Sequence, residues 1–209
     1  MKKLLVLLFS LFFLSSPSVF ADDISDFQIE GISIGDSLLD YMTKDEIFDS
    51  IELHTGGYQW LKDPSKYAHV DLKIDSSTYD FIYFFIKNNS TNQYITDKNE
   101  QYTILSVNGY IKYTEDFEGC IQKSDEIVEV ISGMFPNALK SEWKDNYNPP
   151  DPSGKSILES IEFALSSGAT IDLQCLNLEE TFRNKMNWME GISVGIDSAE
   201  INSWLRDHK

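Results

Sequence analysis

Cys120 and Cys175 are the two cysteines of this 209-residue chain, and their surroundings tie one helix to one strand. Around Cys120, the apolar residues Ile127, Val128, Ile131 and Phe135 recur at helical spacing. This predicts a helix from about Asp116 to Met134, stopped by Pro136, with the thiol on its buried stripe. Around Cys175, Ile171 and Leu173 alternate with Asp172 and Gln174, so the second thiol belongs to the apolar face of a strand. A disulfide between them would lay that helix on that sheet. In the chain-entropy picture, closing the loop is worth about 4 kcal/mol. The alternative is a pair of buried free thiols acting as small hydrophobes. No Cys-x-x-Cys is present to suggest a redox-active pair.

The pairing needs an oxidising compartment, and the start of the chain offers one. Lys2 and Lys3 precede an apolar run from Leu4 to Leu14 broken only by Ser10, and Val19-Phe20-Ala21 resembles a small-residue cleavage site. The expectation is a signal peptide over residues 1–21 and a mature chain over 22–209, secreted or periplasmic. The apolar run is too short to span a hydrocarbon core that needs about 20 residues. No stable membrane anchor is therefore expected after cleavage.

Composition bounds the rest. Hydrophobic residues make up 42% and aromatic residues 13%, enough to build one core rather than a disordered chain, and the mature length suits a single α+β domain. The formal charge is −17, and trimming a leader with two lysines and no acid makes the mature chain more acidic still. A field of that sign repels phosphate backbones and anionic headgroups, which makes nucleic acid and membrane surfaces poor partners and leaves cationic partners or divalent cations allowed. Arginine occurs only at Arg183 and Arg206.

Along the chain, residues 28–34 read as a short strand, followed by a helical stretch from Ser37 to Met42. Thr43 and Glu46 fit a capping box at the start of a second helix through about Ile51. Val70, Leu72 and Ile74 alternate with polar residues, which predicts a strand whose wet face carries His69. From Tyr79 to Lys87 both faces are apolar, so that strand should be covered on both sides. Further strands are expected from Tyr102 toward Tyr113, in a hairpin of Ser156–Leu165 and Ala169–Leu178, and over Asn187–Val194, with a last helix over Ser198–Asp207. The proline-rich stretch Lys144–Ser156 reads as a long surface loop. The predicted class is α+β, an antiparallel sheet packed against one long and several short helices. The segment Glu30–Gly35 is echoed by Glu190–Gly195, each ahead of a Ser and a helix.

Gly35-Asp36-Ser37-Leu38 follows an apolar segment and resembles the nucleophile block of the GDSL, or SGNH, hydrolases. The resemblance implies Ser37 as the nucleophile of a small esterase on a parallel, doubly wound sheet. That family places an Asp three residues before its histidine, whereas Leu205 stands there before His208, and no Gly-x-Asn-Asp block is present. The same residues also make a turn and a helix cap. Gly154-Lys155-Ser156 lacks the first glycine of a phosphate loop. His54, His69 and His208 lack paired metal spacing, and Asp145, Asn146, Asn148 and Asp151 lack the EF-hand register.

These residues assign no catalytic, cofactor-binding or metal site, and no cofactor is expected. The reading is an exported, non-catalytic binding or envelope-associated protein whose partner is an unidentified protein or a small apolar ligand. The two-faced strand Tyr79–Lys87, with Tyr58, Trp60 and Tyr67 near it, is one candidate contact region. Trp143 and Tyr147 mark a second. The alternative function is the GDSL-type esterase using Ser37.

Overall fold

The structure is a computed structural model that describes residues 24–55, 67–72, 78–87, 102–146 and 151–207. The predicted leader, Tyr58, Trp60, Tyr147, Asn148 and His208 lie outside the described residues, as does the side chain of His54.

Among the described residues, seven strands form one antiparallel sheet: β1 (Tyr67–Leu72), β2 (Phe81–Lys87), β3 (Ile104–Lys112), β4 (Leu139–Asn146), β5 (Ile157–Ala164), β6 (Thr170–Asn177) and β7 (Gly191–Asp197). Their spatial order is β1-β2-β3-β7-β6-β5-β4. Helices α1 (Lys44–Thr55), α2 (Phe117–Met134), α3 (Glu180–Met186) and α4 (Ala199–Asp207) accompany them. The α+β class and the antiparallel sheet are as expected. The last strand in sequence, β7, lies at the centre between β3 and β6.

One face of the sheet is the core. A cross-strand row of Val70, Phe84, Val107, Ile196, Ile171 and Phe163 runs from β1 to β5, every member buried. The next row carries Leu72, Ile82, Gly109, Val194, Leu173 and Ile161. Helix α2 packs across β6 and β7 on this side. Its N-terminus is capped by Asp116, whose carboxylate accepts the Gly119 amide at 3.0 Å, and it buries Cys120, Ser124, Val128 and Ile131 at the spacing of one helical face. Cys120 meets Cys175 on β6 at disulfide distance, with S–S 2.08 Å and Cα–Cα 6.0 Å. Helix α1 covers β1, and the capping box holds: the Thr43 amide donates to Glu46 at 2.8 Å and the Glu46 amide to Thr43 Oγ1 at 3.4 Å.

The structure departs from several expectations. Residues 28–34 are not a strand. Glu30 and Gly31 both take positive φ, 52° and 77°, and form a tight turn that lets Ile29 and Ile32 bridge each other inside the core. Its echo is instead extended, with residues 191–195 inside β7, so the two copies share letters and not structure. The segment after Ser37 is a single 3-10 turn, Leu38–Asp40. Residues 144–146 belong to β4 rather than to a loop, because the strand finds a full eight-residue register on β5. Helix α3 has no counterpart among the expected elements.

Among the described residues, α4 covers only part of the other face. Helix α4 docks there through Ile201 and Trp204 against Tyr67, Phe85 and Leu105. Leu105 gets there by an irregularity: Phe85 pairs with Ser106 but Ile86 with Ile104, leaving Leu105 as an extra residue in β3. Such a bulge re-aims one side chain, here onto α4. The Leu105 carbonyl accepts the amide of Ser198 at 2.9 Å, directly before the helix.

Candidate functional site

Beyond α4, this face of the sheet forms a groove of about 950 Å³. Strand alternation decides what lines it, since every residue facing the core has a neighbour facing away. The middle row reads Glu162, Asp172, Gly195, Asn108 and Tyr83 from β5 to β2. Flanking rows add Trp143, Gln174 and Ser193 on one side and Ala164, Thr170, Asp197 and Phe85 on the other. Asn202, Leu205 and Arg206 of α4 form a wall.

The floor is built to keep polar groups apart from the core. Gly195 lacks a side chain where one would collide with Asn108 Oδ1 at 2.4 Å, so Asn108 lies across β7. Its Nδ2 donates to Ser106 Oγ at 2.7 Å. Thr170 Oγ1 donates to Asp172 Oδ2 at 3.3 Å, and Asn202 Nδ2 donates to the Gly168 carbonyl at 3.1 Å, which pins α4 to the β5–β6 turn. Three carboxylates, Glu162, Asp172 and Asp197, therefore share the groove with one guanidinium, Arg206.

At the β1–β2 side the groove meets an aromatic cluster. His69 stands edge-on to Tyr83 at 4.9 Å and stacks on Phe85 at 5.4 Å, and Phe81 stacks on Tyr110 at 4.8 Å. Contrary to the wet face expected for it, His69 is only 4% exposed, because these rings cover it. Its Nε2 lies 3.6 Å from Asp71 Oδ1. Tyr67 does not rim the groove. It is buried edge-on against Trp204 at 5.1 Å, and its hydroxyl donates to Glu200 Oε1 at 2.7 Å. Burial, and then the Glu200 carboxylate, push that hydroxyl's pKa well above the ordinary tyrosine range.

The structure thus brings together two regions that sequence kept apart. Tyr83 and Phe85 come from the two-faced strand, Trp143 from β4, and both border the same groove. The floor residues escaped notice because their only signal is the polar half of ordinary alternation in β6 and β7.

Other sequence candidates have local structural roles. Ser37 Oγ accepts the Leu39 amide at 3.3 Å as a cap, while Asp36 Oδ2 accepts the Tyr41 hydroxyl at 2.8 Å and the Ser33 amide at 2.9 Å. Burial and Asp36 push the Tyr41 hydroxyl up to about 12. Ser37 does not line the groove. Asp151 is 1% exposed and accepts four hydrogen bonds, from the amides and hydroxyls of Ser153 and Ser156 at 2.7–3.0 Å. Burial alone would raise its pKa, but those donors outweigh burial and hold the carboxyl well below the usual range. Gly154, Lys155 and Ser156 are thereby part of a turn organised on Asp151.

Among the described residues no three His, Cys, Asp or Glu side chains are grouped to hold a metal, and no helix is long and apolar enough to cross a membrane. No protein-family model, curated protein or solved structure matches this chain.

Proposed function

We propose that this is an exported binding protein without intrinsic catalysis, secreted or periplasmic, whose groove between α4 and β4 holds an extended ligand. The single observation behind this reading is the groove itself. Its volume of about 950 Å³ lies at the upper end of the range common for ligand sites. Aromatic rings border it at one side and Trp143 at the other, with hydrogen-bonding side chains between. That arrangement suits an amphipathic ligand, with apolar groups against the rings and hydroxyl, amide or cationic groups over the floor. A purely apolar ligand would strip water from Asp172, Gln174 and Asn108 without replacing their hydrogen bonds.

A thermal-shift screen of the mature chain against glycans, short cationic peptides and fatty acids tests the reading. A ligand held at a hundred times its dissociation constant should stabilise the fold by about 2.7 kcal/mol. Ser193→Trp should abolish that shift by filling the groove while leaving the core face untouched. A shift that persists in Ser193→Trp would place the ligand elsewhere, and no shift with any class would remove the proposal.

A further inference from the structure

β4 ends the sheet, and among the described residues no strand pairs with its outer edge. An edge of this length is a template for another chain unless bulges, proline or unmatched charges blunt it. This one runs eight residues in unbroken register with β5, without bulge or proline. Leu139 is 77% and Trp143 44% exposed on the groove side, while Lys140, Glu142 and Lys144 alternate in sign on the other. Helix α2, which covers β6 and β7, leaves β4 exposed.

We infer that β4 pairs antiparallel with β4 of a second copy of this chain, centred on Trp143, joining two seven-stranded sheets into one. Residues directly opposite in an antiparallel pair share a face, so the charge pattern can be read against itself. With Trp143 facing Trp143 of the other copy, Glu142 lies opposite Lys144 twice and Ser141 opposite Asp145 twice. The strand is self-complementary in this register, which spans residues 140–146. A register centred on Ser141 matches Lys140 with Glu142 but overlaps only 139–143. The consequence reaches the groove, because Trp143 stands at its rim. Two grooves would meet at the paired indoles as one continuous surface. The pairing rests on β4 alone, and the groove reading can fail without it.

Sedimentation of the mature chain over a range of concentrations, in about 0.15 M salt to screen repulsion between two acidic molecules, tests the inference. A reversible dimer is expected, and a monomer at every concentration overturns it. Glu142→Lys and Lys144→Glu each set like charges opposite one another and should each weaken the dimer by about tenfold or more. Mixing the two variants should restore a heterodimer, since one then carries lysine at both positions and the other glutamate at both, and opposite charges face each other again. Within one copy Lys140 pairs with Glu142 and Lys144 with Glu159, so folding of each variant is checked by a cooperative unfolding transition at a concentration where the parent is monomeric. A dimer that survives Lys144→Glu overturns the Trp143-centred register. Under oxidation Trp143→Cys should cross-link between chains, and cross-linking of Ser141→Cys in its place also overturns that register.

Discussion

Arg183 and Glu190 form an ion pair largely withdrawn from water, with side chains 14% and 3% exposed. The arginine also reaches Glu115 at 3.1 Å, and Glu190 accepts the amides of Leu178 at 2.8 Å and Glu115 at 3.1 Å. One of only two arginines thus joins α3, the end of β6, the start of β7 and the turn before α2. The Glu115 and Glu190 carboxylates raise its pKa, so it stays charged.

Glu190→Gln should destabilise the fold more than any surface substitution, because it leaves the guanidinium partly buried beside a neutral group and can satisfy only one of the two amides. A fall in Tm of at least about 5 °C is expected by calorimetry. A change within the scatter of surface variants would show that the pair is ornamental.

The contact between Cys120 and Cys175 predicts no free thiol in the native protein once it is denatured without reductant. Replacing both by alanine should cost about 2–5 kcal/mol in urea unfolding, chiefly by freeing the unfolded chain. A full thiol titre, or equal stability of the double variant, would contradict it.

Asp151 should shape the acid limb of stability. Its folded pKa lies below the unfolded value, so its contribution is complete above about pH 4 and is lost as pH falls toward the depressed folded value. Urea midpoints measured from about pH 5 down to pH 2 should therefore drop less steeply in Asp151→Asn than in the parent chain. At neutral pH the variant should be the less stable one, since an amide offers one acceptor oxygen to four donors. Parallel pH profiles would remove Asp151 from the account.

For Ser37 a cap and a nucleophile predict different losses. Ser37→Ala should lower stability by roughly 0.5–1 kcal/mol, as capping residues do. Hydrolysis of short p-nitrophenyl esters should be no higher with the parent protein than with the variant. Turnover that depends on Ser37 would favour the esterase.

Where local pattern and tertiary context agreed, the sequence was legible. Helix α2 could be placed nearly to the residue, since Asp116 caps it, Pro136 bars its continuation and its apolar stripe has one periodicity. The hairpin of β5 and β6 was readable because both strands alternate around a glycine turn. The leader, lying outside the described residues, remains an expectation of the first twenty-one residues. Strand β4 was illegible for the opposite reason. Only Leu139 and Trp143 among its first six residues are apolar, and it is a strand because β5 offers it a ladder. Helix α3 spans seven residues, too few to show a period, and is capped by Glu179, whose side chain accepts the Phe182 amide at 2.8 Å.

The candidate site divides the same way. From the residues alone came the two-faced strand, the cysteine on each of two elements and the acidic character of the surface, because each is a property of neighbours along the chain. That Tyr83 and Trp143 border one groove, that His69 is sheathed by rings, and that Leu105 turns outward to seat α4 were decided by strand order and register. Those depend on hydrogen bonds between strands as distant in sequence as Ser106 and Asp197, and no local window contains them.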